Sequence, residues 1–96
     1  SRINHVHCKD IRKEVFINSI NKDLSFRNSF LDGVFTVPGD GCIDYNPLIK
    51  ILNNSKYEDW LIIEAEQDPL KANPLEYAKI GHNYLTKIVS ENGYSL

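Results

Sequence analysis

At 96 residues, with 42% hydrophobic and 25% charged side chains, the chain has the make-up of one small globular domain or a portion of a larger one. A net charge of −2 with no Lys/Arg cluster leaves no electrostatic footprint for nucleic acid or for an anionic membrane surface. The longest apolar run, residues 60–63, is far too short to span a bilayer.

Two cysteines, Cys8 and Cys42, fit a reduced cytoplasmic protein better than a disulfide framework, and no secretory signal pattern is seen. Residues 2–8 alternate as a strand does, with Ile3, His5 and His7 on one face and Asn4, Val6 and Cys8 on the other. A purely structural strand would hold Val, Ile or Leu at such positions, so the polar run INHVHCKD asks for another reason. Residues 11–22 place Val15, Phe16 and Ile20 at helical spacing. The stretch FRNSFLD follows Ser25, suited to an N-cap, and stops at Gly33, suited to the C′ position. In VFTVPGDGCIDY, Pro38, Gly39 and Gly41 predict a tight connection. Asp44 or Asn46 can cap the next helix, NPLIKILNN, with Pro47 in its first turn. The run YEDWLIIEAE reads as a second strand, apolar almost throughout, which predicts cover on both faces. Asn73, Pro74 and Glu76 open a final helix over 74–90, whose apolar face holds Tyr77, Ala78, Gly81, Tyr84, Leu85 and Ile88.

Strand, helices, strand, helix is the β-α-β-α order of a parallel sheet joined by a right-handed crossover. Two parallel strands do not make a stable sheet alone, and the chain begins inside its first strand. The expectation is therefore the C-terminal portion of a larger α/β protein.

In a closed parallel barrel the chemistry comes from the C-terminal ends of the strands. His5, His7 and Lys9 share one face of the first strand, and Ile62, Glu64 and Glu66 share one face of the second. Adjacent parallel strands would bring imidazole and carboxylate to the same rim, a donor set suited to Mn²⁺, Co²⁺, Mg²⁺ or Zn²⁺. Each motif also has an ordinary reading. A His-x-His pair can be hydrogen-bonded structure, and Glu-Ala-Glu can be a solvated strand end. Cys8 reads as a small core residue and His82 as a packing or surface residue. The PGDG spacing matches neither a Walker loop nor a dinucleotide fingerprint and reads as a turn. Asp10, Arg12 and Lys13 follow the first strand, either to touch substrate or as solvated loop charges.

The segments HVHCKD, VPGDGCIDY, WLIIEAEQDP and NPLEYAKIGHNYL, in that order, resemble the C-terminal third of the myo-inosose-2 dehydratase family. That family is a branch of the xylose-isomerase-like (β/α)₈ barrels, beside sugar epimerases and endonuclease-IV-like proteins. The resemblance implies that residues 1–96 are a C-terminal fragment of one TIM-barrel domain, namely strands 7 and 8 with their helices. It implies His7 and Glu64 as metal ligands, with two further carboxylate ligands outside this sequence. Lys9, Glu66 and His5 become candidates for proton transfer or substrate contact. In related epimerases a basic residue six positions after the ligand histidine binds substrate hydroxyls. Lys13 matches that position, with Arg12 adjacent and Asp10 close by.

The activity so implied is dehydration of 2-keto-myo-inositol to a trihydroxycyclohexane-dione in inositol catabolism. The implied cofactor is a divalent metal, Mn²⁺ or Co²⁺ with Mg²⁺ or Zn²⁺ as alternatives, and the resemblance also allows glutathione beside it. The partners are a cyclic polyol ketone and either a second copy or the N-terminal part of the barrel, without nucleic acid or membrane. The 96 residues alone would be inactive. Two alternatives stay open: an isomerase or epimerase sharing the first proton abstraction, and a truncated fragment or metal-binding interaction module.

Overall fold

In the computed structural model, residues 2–95 are described. Alternation decides the first packing event. Strand β1 (Val6–Cys8) pairs in parallel with β4 (Leu61–Ile63), in the register Val6↔Leu61, His7↔Ile62, Cys8↔Ile63. Cys8 on one strand and Leu61 and Ile63 on the other turn to a core built from Tyr45, Ile49, Leu85, Ile88 and Val89. His7 and Ile62 face the other way and are exposed. The adjacent parallel pair is as expected. Its extent is not: each strand has three residues, and the ladder covers neither residues 2–5 nor residues 57–60. Cover on both faces of the second strand is also not seen, because Ile62 remains 36% exposed on the face opposite the helices.

Between these strands lie helix α1 (Lys13–Asn21), helix α2 (Phe26–Asp32), strand β3 (Phe35–Thr36) and helix α3 (Asn46–Asn54). The helix expected over 11–22 starts two residues late. Asp10–Ile11 forms β2, antiparallel to β3, and Arg12 is the N-cap of α1. On α1, Val15 is half-buried but Phe16, Ile17 and Ile20 are exposed, so its apolar face has little to pack on within this chain. Helix α2 matches its sequence signals at both ends. Ser25 Oγ accepts from the Asn28 N–H, and Gly33 ends the helix in the left-handed region at φ 87°. For α3 the N-cap position is Tyr45, without a side-chain cap. Asp44 takes the Asn46 N–H at 3.0 Å from one residue further out, with Pro47 in the first turn.

Helix α4 (Pro74–Glu91) is capped by Asn73, whose Oδ1 accepts from the Leu75 and Glu76 N–H groups. Gly81, Leu85, Ile88 and Val89 are its buried positions, while Ala78 is exposed against expectation. A Cβ on Gly81 would lie 2.9 Å from Ile63 Cγ2, so the missing side chain lets α4 close on β4.

The two cysteines differ in a way that can be measured. Cys8 is 1% exposed, and burial pushes its thiol up to about 11, whereas Cys42 is exposed. A thiol with a raised pKa is protonated and unreactive at pH 8. Brief native treatment with iodoacetamide at pH 8 is expected to modify Cys42 and spare Cys8, read by peptide mass spectrometry. Equal labelling of both would contradict the packing of β1 on the helices.

Candidate active site

The parallel register sets the site. Glu64 follows β4 directly, and its N–H donates to the Cys8 carbonyl at 3.1 Å, so Glu64 sits just beyond the end of β1. Its side chain lies on the open face of the sheet. His7 Nδ1 is 2.6 Å from Glu64 Oε2, and Lys9 Nζ lies 3.1 Å from Glu64 Oε1. Lys9 Nζ also donates to Glu66 Oε1 at 3.2 Å, and the His5 ring is 5.1 Å from that of His7. The sequence-predicted residues His5, His7, Lys9, Glu64 and Glu66 are thus brought together.

Electrostatics follow the contacts. The Lys9 ammonium, and after it His7, hold the Glu64 carboxyl below its ordinary 4.5. Glu64 and then Glu66 raise Lys9 above 10.5. A lowered carboxylate favours the folded arrangement above its unfolded value and loses that contribution as pH falls through the folded one. A raised lysine loses its contribution only as pH rises through the folded value. Glu64 therefore stays ionised to below its ordinary range, and Lys9 stays protonated to above its own. These side chains are roughly 36–48% exposed, so the pairs orient the groups more than they stabilise the fold.

An imidazole nitrogen and carboxylate oxygens at one rim are a chemical fit for a divalent cation. Among the described residues no group of three His, Cys, Asp or Glu side chains converges, so His7 and Glu64 would be a partial set of ligands.

The other candidates are placed differently. Asp10 is neither a solvated charge nor presented at the rim. It is 1% exposed, and its Oδ1 accepts from the N–H groups of Ile11, Cys42 and Ile43 at 2.7, 3.0 and 3.1 Å. Arg12 is engaged by the fold. Its Nη1 donates to the Gly33 carbonyl at 2.8 Å, and its Nη2 reaches Asp40 Oδ2 at 2.8 Å and the Tyr77 hydroxyl at 3.2 Å. Thr36 Oγ1, on β3, donates to the same Asp40 oxygen at 2.7 Å, and through Arg12 the PGDG turn is also tied to the end of α2 and to α4. Lys13 is exposed at the start of α1. His82 is exposed and borders an apolar hollow of about 400 Å³ with Tyr57, Trp60 and Leu85. That hollow lies by the segment leading into β4, away from the glutamates beyond its end, and its size carries less weight than the chemistry of the rim. Reasoning from sequence missed Tyr45, whose hydroxyl donates to the Lys9 carbonyl; no periodicity marks it. Among the described residues no helix is long and apolar enough to cross a membrane.

Comparison with known proteins gives the family. The chain is 55% identical over 89 residues to an inosose dehydratase of Clostridium botulinum, covering 93% of this chain and 30% of that protein. An inosose dehydratase of Mesomycoplasma hyopneumoniae is 54% identical over 91 residues, covering 94% of this chain and 30% of the relative. The rhizopine catabolism protein MocC of Rhizobium meliloti is 47% identical over 95 residues, covering 99% of this chain and 29% of the relative. The chain thus spans about 30% of the length of the curated relatives it matches. The profile described as Xylose isomerase-like TIM barrel matches residues 1–88. The parallel strand pair, its helices and this match together mean that the chain belongs to the xylose isomerase-like TIM barrel family.

Proposed function

We propose that the chain is the portion of an inosose dehydratase that carries strands 7 and 8 of its barrel. The observation that carries this reading is the shared Glu64 carboxylate, with His7 Nδ1 at 2.6 Å on one oxygen and Lys9 Nζ at 3.1 Å on the other. The relatives named inosose dehydratase suggest an inosose as the substrate class, and 2-keto-myo-inositol is the member taken here.

His7 and Glu64 would hold a divalent cation, completed by ligands from the rest of the barrel. When bound, that cation supplies Lewis acidity at the ketone oxygen of the substrate. The remaining work is proton transfer. Dehydration takes a proton from the carbon beside the ketone and expels hydroxide from the next carbon, so one water leaves. Glu66 accepts the proton at a carboxylate oxygen, and Lys9 Nζ gives one to the departing hydroxyl. The proton then passes from Glu66 to Lys9 across their 3.2 Å contact, which returns both to their starting forms. His5, whose ring lies 5.1 Å from that of His7, would bind a ring hydroxyl.

The test uses the full-length protein with 2-keto-myo-inositol and Mn²⁺ or Co²⁺. Loss of water is expected to appear as the ultraviolet absorbance of a conjugated dione. Exchange between isomeric ketones without that absorbance would move the assignment to an isomerase or epimerase. The relative named for rhizopine catabolism makes rhizopine-derived compounds the second substrate set to assay.

A further inference from the structure

We propose that Asp10 is a positioning residue for Lys9, an inference that rests on the proton-transfer role given to Lys9 above. Beyond β1 the chain stays extended, so Lys9 and Asp10 point to opposite sides. Lys9 reaches the glutamates, and Asp10 goes into the protein.

Burying a carboxylate without a cation is costly unless hydrogen bonds replace the lost water. Asp10 is 1% exposed, and one oxygen takes three backbone N–H groups, two of them from the 42–43 segment. The turn already has a backbone tie, since the Cys42 N–H donates to the Ile11 carbonyl at 3.0 Å. The carboxylate therefore adds more than turn closure: it anchors the peptide just after Lys9. Gly41 makes room for it, because a Cβ there would lie 2.2 Å from Asp10 Cγ. On the other side, the buried Tyr45 donates its hydroxyl to the Lys9 carbonyl.

The root of the lysine is fixed from two directions, while its ammonium group lies 3.1 Å from Glu64 and 3.2 Å from Glu66. An exposed lysine normally gives up much of an ion pair to side-chain entropy. Anchoring its backbone limits how far the ammonium can move from the two carboxylates it bridges.

The test reads Lys9 without substrate or metal. In full-length protein with ¹³Cε-labelled lysine, the Lys9 resonance is assigned by its loss in Lys9→Arg. Asp10→Asn keeps an acceptor oxygen for all three N–H groups, and its new amide nitrogen replaces Oδ2, which is buried without a partner among the described residues. That variant is expected to hold the Lys9 resonance in place. Asp10→Ala should move it toward the position of solvent-exposed lysines; Asp10→Ser, which keeps part of the bonding, serves if the alanine variant does not fold. The kcat for dehydration should fall roughly 10-fold or more in Asp10→Ala, as for groups that orient a working residue. In a Lys9→Met background the same change should add nothing, because the two act through one group. An unmoved Lys9 resonance in folded Asp10→Ala or Asp10→Ser, or a full additional loss in Lys9→Met, would overturn the proposal. A moved resonance in a protein that dehydrates nothing would leave the positioning intact and sink the dehydratase reading.

Discussion

Glu64→Gln in the full-length protein is expected to lower the dehydration rate on the order of 100-fold at limiting metal, with part of the activity restored by excess Mn²⁺ or Co²⁺. The substitution keeps the size of the side chain and an oxygen for hydrogen bonding, but removes the negative charge that His7 and Lys9 share. A neutral amide is a weaker ligand for a hard divalent cation, so the loss is chiefly one of metal affinity. Adding Mn²⁺ should therefore raise the unfolding temperature of the native protein by more than that of the variant, a readout independent of turnover. Glu66→Gln gives the contrast. Glu66 touches Lys9 and not His7, so its loss should cost about 100-fold or more in kcat through proton transfer at every metal concentration. Metal-dependent rescue of Glu66→Gln but not of Glu64→Gln would place the ligand two residues further along the chain. If neither variant responds to metal, the cation has no part in this site.

Gly41→Ala should destabilise the protein by about 3 kcal/mol, at the upper end of what overpacking costs. The added Cβ would lie 2.2 Å from Asp10 Cγ, 2.3 Å from Asp10 Oδ1 and 2.6 Å from the Ile11 carbonyl. Neither neighbour can swing away cheaply. The carbonyl is backbone paired to the Cys42 N–H, and the carboxylate holds three N–H groups. Urea unfolding of Gly41→Ala against the native protein measures the difference. Asp10→Ala should relieve part of it, so the double variant would be less unstable than the sum of the two singles. A change under about 0.5 kcal/mol, the range of an ordinary surface substitution, would mean that the turn and Asp10 do not approach this closely.

Much of the helical layer could be read from termini. Ser25, Gly33 and Asn73 each carry a local bonding rule that does not depend on distant partners, and each appears where the rule puts it. Strand extent could not be read so well, because a ladder ends where its neighbour ends and the neighbour lies more than fifty residues away. The β2–β3 pair was invisible for a different reason: two-residue strands have no period to detect. Helical spacing of Phe16 and Ile20 found α1 but not what covers it, since periodicity reports a face and not an occupant. At the site, period two placed His7 with Lys9 and Glu64 with Glu66, and the parallel register did the rest. Asp10 was misjudged by its charge. The same alternation puts it on the side of Cys8, a buried position, and that was the available signal.

The pairing of β1 with β4 also decides when the site comes into being. His7 and Glu64 are separated by 57 positions, so closing that loop costs entropy that grows with the logarithm of its length and is repaid only after closure. Helices α1 and α2 and the β2–β3 contact need shorter loops and can form earlier. Lys9 and His7 on one side, and Glu64 and Glu66 on the other, meet in the single late event that registers the two strands. A folding chain that has made only its local helices holds these four side chains apart, so the parallel register and this part of the rim arrive together.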